Sequence, residues 1–293
     1  MDRSRVRSKK LTLLFLAVYL AASGCGWQKR SVPSVADELH WVSTVVEPME
    51  SGKNWNGLAE TASERVKEYP EDEFAWSELG EAYVGVGRYG EAVDAEKRAL
   101  QLKPDDEHAW VSIGAAYENL GQHGEAIDAY KQAINLKPSD EDAQLRLGGA
   151  YAGLGQHDRE ADAYRQAIRL KPDDERAWVL LGFAYISLRQ YKEAIEAYKK
   201  AVQLQTDDEN AWIYLGLAYD SLRQRDDAVE SFKRAIQLKP DDGKAWRVLG
   251  LNYCLEGQRN SVIQVYTKLQ SLAPEDAADL VKGCPQYLAE HGR

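Results

Sequence analysis

The chain has 293 residues, 37 basic and 47 acidic side chains, and a formal net charge of -10. Its hydrophobic (44%) and charged (29%) fractions fit a folded chain rather than a disordered tail. The acidic balance argues against nucleic acid, whose phosphates need a basic stripe. No apolar run reaches the roughly 18 residues of a spanning helix. Three cysteines and five histidines leave little material for a metal site or a disulfide framework.

Residues 1–24 read as a targeting segment. Arg3, Arg5, Arg7, Lys9 and Lys10 stand against Asp2, a net +4, which leaves -14 for the remainder. Leu11 to Ala22 form an apolar stretch too short to span a membrane and suited to a signal peptide. Ala21, Ala22, Ser23 and Gly24 then lead to Cys25. This resembles a bacterial lipoprotein signal, although that family prefers Leu where Ala22 stands. The resemblance implies cleavage before Cys25 and acylation of its thiol. Gly26 follows, not the Asp of inner-membrane retention, so an outer-membrane address is favoured. The other reading is an ordinary secretory signal cut near Ser23, a secreted soluble protein, and a free thiol at Cys25. Residues 25–34 form a tether reaching roughly 30 Å when extended.

Residues 35–71 hold a degenerate helical hairpin, with Ala36 to Val46 as one helix and Gly57 to Tyr69 as the next. Trp41 and Trp55 are its candidate core aromatics. From residue 72 to 276 one pattern recurs six times at a step of 34. Trp76, Trp110, Trp178, Trp212 and Trp246 share a frame that Gln144 interrupts. Gly80 to Gly250 and Tyr83 to Tyr253 keep the same step without a gap, and Pro70 to Pro274 keep it except at Thr206. Within a copy, Trp110, Ile113, Gly114 and Tyr117 fall on one face of a helix. Asp105 and Asp106 precede that helix and can cap it, and Gly121 ends it. Ala126, Tyr130 and Ala133 line a second helix, and Pro138 stops it. The spacing predicts helices near Phe74–Gly85 and Tyr89–Leu102 in the first copy, with Gly114 and Ala126 letting them approach. Residues 277–293 read as a capping helix, interrupted by Pro285.

The pattern Trp-x-x-Leu-Gly-x-x-Tyr, then Ala, an aromatic and Pro, resembles the tetratricopeptide repeat (TPR). That resemblance implies an all-α, right-handed α-solenoid of stacked hairpins whose first helices form a concave groove for proteins or peptides. In that frame Val179, Phe183, Ile186, Ile213, Leu217 and Leu251 line the groove in repeats four to six. Arg176, Lys244 and Arg247 border it and can take acidic groups. Ser77, Glu81, Ala115, Glu118, Gly149 and Ala152 are polar or small at the matching places. The groove residues either form an exposed binding patch or pack half-buried between neighbouring helices.

Other candidates are weaker. Gly85, Gly87 and Gly90 spell G-x-G-x-x-G, but in an interhelical turn with no preceding strand. His123 and His157 sit at equivalent turns. Glu160 replaces a small Ala, making repeat three either a weaker copy or a joint. Cys254 and Cys284 either form a disulfide or are separately buried thiols. The Lys and Asn of a chaperone-type carboxylate clamp are absent, with Ser77, Glu81, Val111 and Ala115 in their places.

No catalytic, metal or cofactor constellation is apparent, and neither a nucleic-acid nor a small-molecule partner is expected. The expected function is a lipid-anchored scaffold for protein–protein interactions in the bacterial envelope, facing the periplasm. The alternatives are a pilotin or assembly factor for a pilus, secretion or outer-membrane machine, and an accessory subunit of an enzyme complex.

Overall fold

The structure, a computed structural model, describes residues 54–288 together with Trp41, Val46 and Gly52. The targeting segment, the tether and most of the first expected helix, Cys25 included, lie outside the described residues. The chain divides into two compact units, Met1–Ala150 and Tyr151–Arg293. The first contains α1 (Trp55–Glu68), α2 (Glu73–Gly85), α3 (Tyr89–Leu102), α4 (Glu107–Asn119) and α5 (His123–Leu136). The division falls within α6 (Glu141–Gly153). The second unit continues with α7 (His157–Leu170), α8 (Glu175–Ser187), α9 (Tyr191–Leu204), α10 (Glu209–Ser221), α11 (Arg225–Leu238), α12 (Gly243–Leu255) and α13 (Arg259–Leu272). It closes with α14 (Pro274–Gly283) and the single turn α15 (Pro285–Leu288).

No strand occurs among the described residues, and every helix from α4 to α13 repeats one 34 residues earlier. The protein is an all-α stack of hairpins. The repeat is produced by local chemistry. The second Asp of each turn caps the next helix: Asp106 accepts from the His108 N–H at 3.0 Å, and Asp174, Asp208 and Asp242 accept the matching N–H groups at 2.9 Å. Each cap satisfies a donor that the helix itself leaves unpaired. At the other end the chain reverses through positive φ at Gly87, Gly121, Gly155 and Gly257. The Trp indole then closes the preceding stop. Trp178 and Trp246 donate to the carbonyls of Pro172 and Pro240 at 2.9 Å, and Trp212 donates to Thr206 at 3.1 Å. Thr206 therefore keeps the carbonyl even where the ring is lost.

Close approach within a hairpin rests on glycine, but its partner is not the small Ala expected from the sequence. A Cβ on Gly114 would lie 2.4 Å from the Tyr130 ring, on Gly182 2.4 Å from Tyr198, and on Gly216 2.5 Å from Phe232. The aromatic of the second helix lies against the glycine of the first. In the first repeat the buried Glu96 takes the ring's place over Gly80. Glu160 is buried and meets His157 Nδ1 at 2.8 Å, which supplies its partner, and Ala161 beside it is buried too.

The two ends differ from the middle. In the first unit, Trp41 is buried, meets Phe74 edge-on at 5.8 Å, and carries Arg65 4.3 Å above its ring. Arg65 in turn pairs with buried Asp72 at 2.8 Å. In the second unit, α14 begins at Pro274, three residues before the expected start at residue 277. Proline suits a helix's first position, where no N–H is needed, and Ala273 ends α13 and starts α14 at once. Cys254 of α12 and Cys284 after α14 are disulfide-bonded, with Cα atoms 6.0 Å apart.

A candidate protein-binding groove on the first helices of the second unit

Helices α8, α10 and α12 supply the equivalent positions of three successive repeats. Phe183 and Leu217 occupy one place 34 residues apart and are 37% and 42% exposed. Most large apolar side chains of these helices are buried or half-buried, so this exposure is specific to the position. Phe183 does not hang loose. Its ring lies 4.6 Å from that of Tyr214 and 5.9 Å from that of buried Tyr198. The three rings form a firm apolar platform. Val179 and Ile186, one turn to either side on α8, are half-buried and pack against the core of repeats four and five.

Three expected groove residues are otherwise engaged. Ile213 is only 7% exposed and packs with Ala235 and Ala245, so it belongs to the core. Leu251 is half-buried beneath the end of α14, where a Cβ on Gly283 would lie 2.4 Å from its Cδ2. The capping helix thus covers the sixth repeat's contribution. Arg247 Nε pairs with Asp276 Oδ1 of that same helix at 2.9 Å. Arg176 and Lys244 are exposed at the first turns of α8 and α12. What remains is a strip of Val179, Phe183, Ile186 and Leu217, with Arg176 on α8 and Lys244 on α12.

Polar neighbours bound the strip. Asp220, one turn beyond Leu217, accepts from Arg225 Nη1 at 2.5 Å and from Asn252 Nδ2 at 3.0 Å. In the first unit the matching region is polar. Tyr130 donates to Glu118 at 2.5 Å, and burial and that carboxylate push the phenol well above its ordinary value. Arg146 meets Asp142 at 2.6 Å. Neither Asn252, which stands where other repeats have Ala, nor the Tyr130–Glu118 bond had been singled out from sequence. The Ala-to-Asn departure is visible in the repeat frame, whereas the bond requires knowing that the ring lies over Gly114. Among the described residues no group of three or more His, Cys, Asp or Glu is placed to hold a metal ion, and no helix is long and apolar enough to cross a membrane.

Hairpins of this length, with Trp, Gly, Tyr and Ala packed in these places, define a tetratricopeptide-repeat protein. The chain belongs to the family described as the cilia and flagella-associated protein 70 C-terminal domain, whose model matches residues 75–287. The crystal structure of MamA is similar at 28% identity and a TM-score of 0.53, covering 57% of this chain and 97% of that one. The C-terminal part of a TPR repeat-containing protein from Cytophaga hutchinsonii shares the fold at 15% identity and a TM-score of 0.70, over 80% of this chain and 97% of that one. YrrB, described as a TPR protein with an unusual peptide-binding site, shares it at 21% identity and a TM-score of 0.54, over 64% and 96% of the two chains. No curated protein matches the sequence.

Proposed function

We propose that this protein is a binding scaffold, not an enzyme, and that it works in the bacterial envelope as a lipid-anchored protein. Its partner is a protein segment with apolar anchors and an acidic flank. The observation that carries the binding site is the pair Phe183 and Leu217, two large apolar side chains exposed one repeat apart, the first of them packed on Tyr214. Solvent exposure of both costs the folded chain apolar burial, which a bound segment would restore. Lys244, exposed at the first turn of α12, favours a carboxylate at the edge. The Cys254–Cys284 disulfide supports export, since such bonds persist in oxidising compartments. The order of basic residues, apolar stretch and Cys25 supports the anchor.

The experiment has two arms. Leu217→Glu, alone and with Phe183→Glu, is introduced into the full chain, and crosslinked partners are compared with those of wild type. The variants keep helicity and cooperative melting while the same named partners are lost. Normal binding by the double variant moves the site off this face. Separately, wild type incorporates palmitate label and sediments with membranes, and Cys25→Ala does neither. An unlabelled wild type removes the lipid anchor from the proposal and leaves the groove standing.

A further inference from the structure

The grooves between α7 and α9 and between α9 and α11 carry both signs of charge on their walls, Arg165 with Glu196 and Lys199 with Glu230, and so select no occupant. The junction between repeats four and five is more specific. In repeat two Glu107, the first residue of α4, accepts from Lys137 at 3.0 Å, and in repeat five Glu209 accepts from Lys239 at 3.0 Å. Each lysine comes 30 residues after its glutamate, just before the proline stop. Repeat four keeps the glutamate, as Glu175, but has Gln205 in place of the lysine and Thr206 in place of the proline.

Without its ammonium, Glu175 faces carboxylates. Asp208 stands in the turn before α10 where Asp140 stands in repeat two, and there one lysine, Lys137, lies 3.0 Å from Glu107 and 3.7 Å from Asp140; Asp174 lies beside Glu175 as the cap of its own helix. Neither is free to turn away. Asp208 accepts from the Asn210 N–H at 2.9 Å, and Asp174 accepts from the Arg176 N–H at 2.9 Å. Lys171 lies 3.9 Å from Asp174. Glu175 Oε1 is shut off from solvent with no hydrogen-bond partner. Two acidic side chains that share a hydrogen bond need one proton between them. Burial first, and then Asp208, push the Glu175 carboxyl up to about 7.

We infer that this junction is a proton-operated latch. When Glu175 is a carboxylic acid its O–H donates to Asp208 and ties α8 to the turn that starts α10. When the proton leaves to solvent, two anions face each other and the tie becomes a repulsion. The folded-state value lies above the unfolded one, so the stabilisation is complete below about pH 4.5 and is lost as pH rises through about 7. Phe183 and Leu217 sit on the two helices the latch joins, although the latch does not depend on what they bind.

Hydrogen exchange of the full chain, read in segments covering residues 174–180 and 205–212, tests this. Wild type is compared with Glu175→Gln at each pH, so that the intrinsic pH dependence of exchange cancels. The glutamine amide can donate to Asp208 at any pH. The opening constant of the wild-type segments therefore rises about tenfold relative to the variant between pH 5.5 and 8, a value reduced for partial solvent screening. Gln205→Lys restores the pairing seen in repeats two and five and flattens the wild-type dependence. In a carbon-detected NMR titration the Glu175 carboxyl has its midpoint near pH 7. Parallel exchange profiles for wild type and both variants, or an ordinary glutamate midpoint, overturn the latch.

Discussion

Two arginines hold a backbone conformation that glycine holds elsewhere in the array. Gly87, Gly121, Gly155 and Gly257 reverse the chain at φ between 67° and 80°, and Arg189 and Arg223 do the same at 58°. An L-residue in this region brings its Cβ against the following carbonyl, at a cost of roughly 1–2 kcal/mol. Glycine avoids that cost but loses more freedom on folding, by roughly 0.5–1 kcal/mol. The balance favours glycine slightly. Arg189→Gly and Arg223→Gly are each expected to raise stability by about 0.5–1 kcal/mol, seen as a higher denaturant midpoint at unchanged slope. No gain at either site would mean that the arginine side chains recover the strain through contacts of their own. The same comparison of equivalent residues exposes Gln205: one missing ammonium leaves Glu175 among carboxylates, while the capping Asp208 is kept.

At the scale of elements, the capping end depends on its crosslink. The disulfide closes a loop of 30 residues that contains α13 and α14. In the chain-entropy account such a loop contributes roughly 3–4 kcal/mol. Cys254→Ser with Cys284→Ser should speed exchange across α14 by at least about 100-fold, leave α8 to α10 unchanged, and uncover Leu251. Equal protection of α14 in the reduced chain would show that Leu280, Leu288 and the Arg247–Asp276 pair suffice. The sequence frame located α2 to α13 closely because Asp caps, positive-φ turns and Pro stops act within a few residues. It misplaced whatever depends on a neighbouring element. Gly114 meets Tyr130, not Ala126, because the ring lies across the hairpin. Ile213 is buried between the adjacent repeats, and Leu251 and Arg247 are taken up by α14. The start of α14 was missed because Pro274 holds the frame position of a stop while acting as a first residue. That Phe183 and Leu217 hold equivalent places was legible from the frame alone, but the packing of Phe183 on Tyr214 was not.

Across the whole molecule the carboxylates at helix starts that are shifted in the two units are shifted in opposite directions. In the first unit burial pushes Asp106 upward, but Lys103 and hydrogen bonds to the carboxylate outweigh it and hold Asp106 below its ordinary value. Glu107 is likewise lowered, burial being outweighed by Lys137 and His108. Groups lowered in the folded state contribute stability above their unfolded values, and that contribution is lost as pH falls through the folded ones. The first unit should therefore be level between pH 5 and 8 and weaken below about 4. Glu175 of the second unit has the reverse sign, with stability present below about 4.5 and declining up to about 7. After allowance for solvent screening, these carboxylates amount to about 1–1.5 kcal/mol in each unit. Exchange resolved by unit should then show the second unit loosening from pH 5 to 8 while the first does not, and the first loosening from pH 4 to 3. Introducing Glu175→Gln should abolish the alkaline decline and leave the acid one in place. If both units weaken together at each pH, the response belongs to the overall charge of -10 and not to these carboxylates.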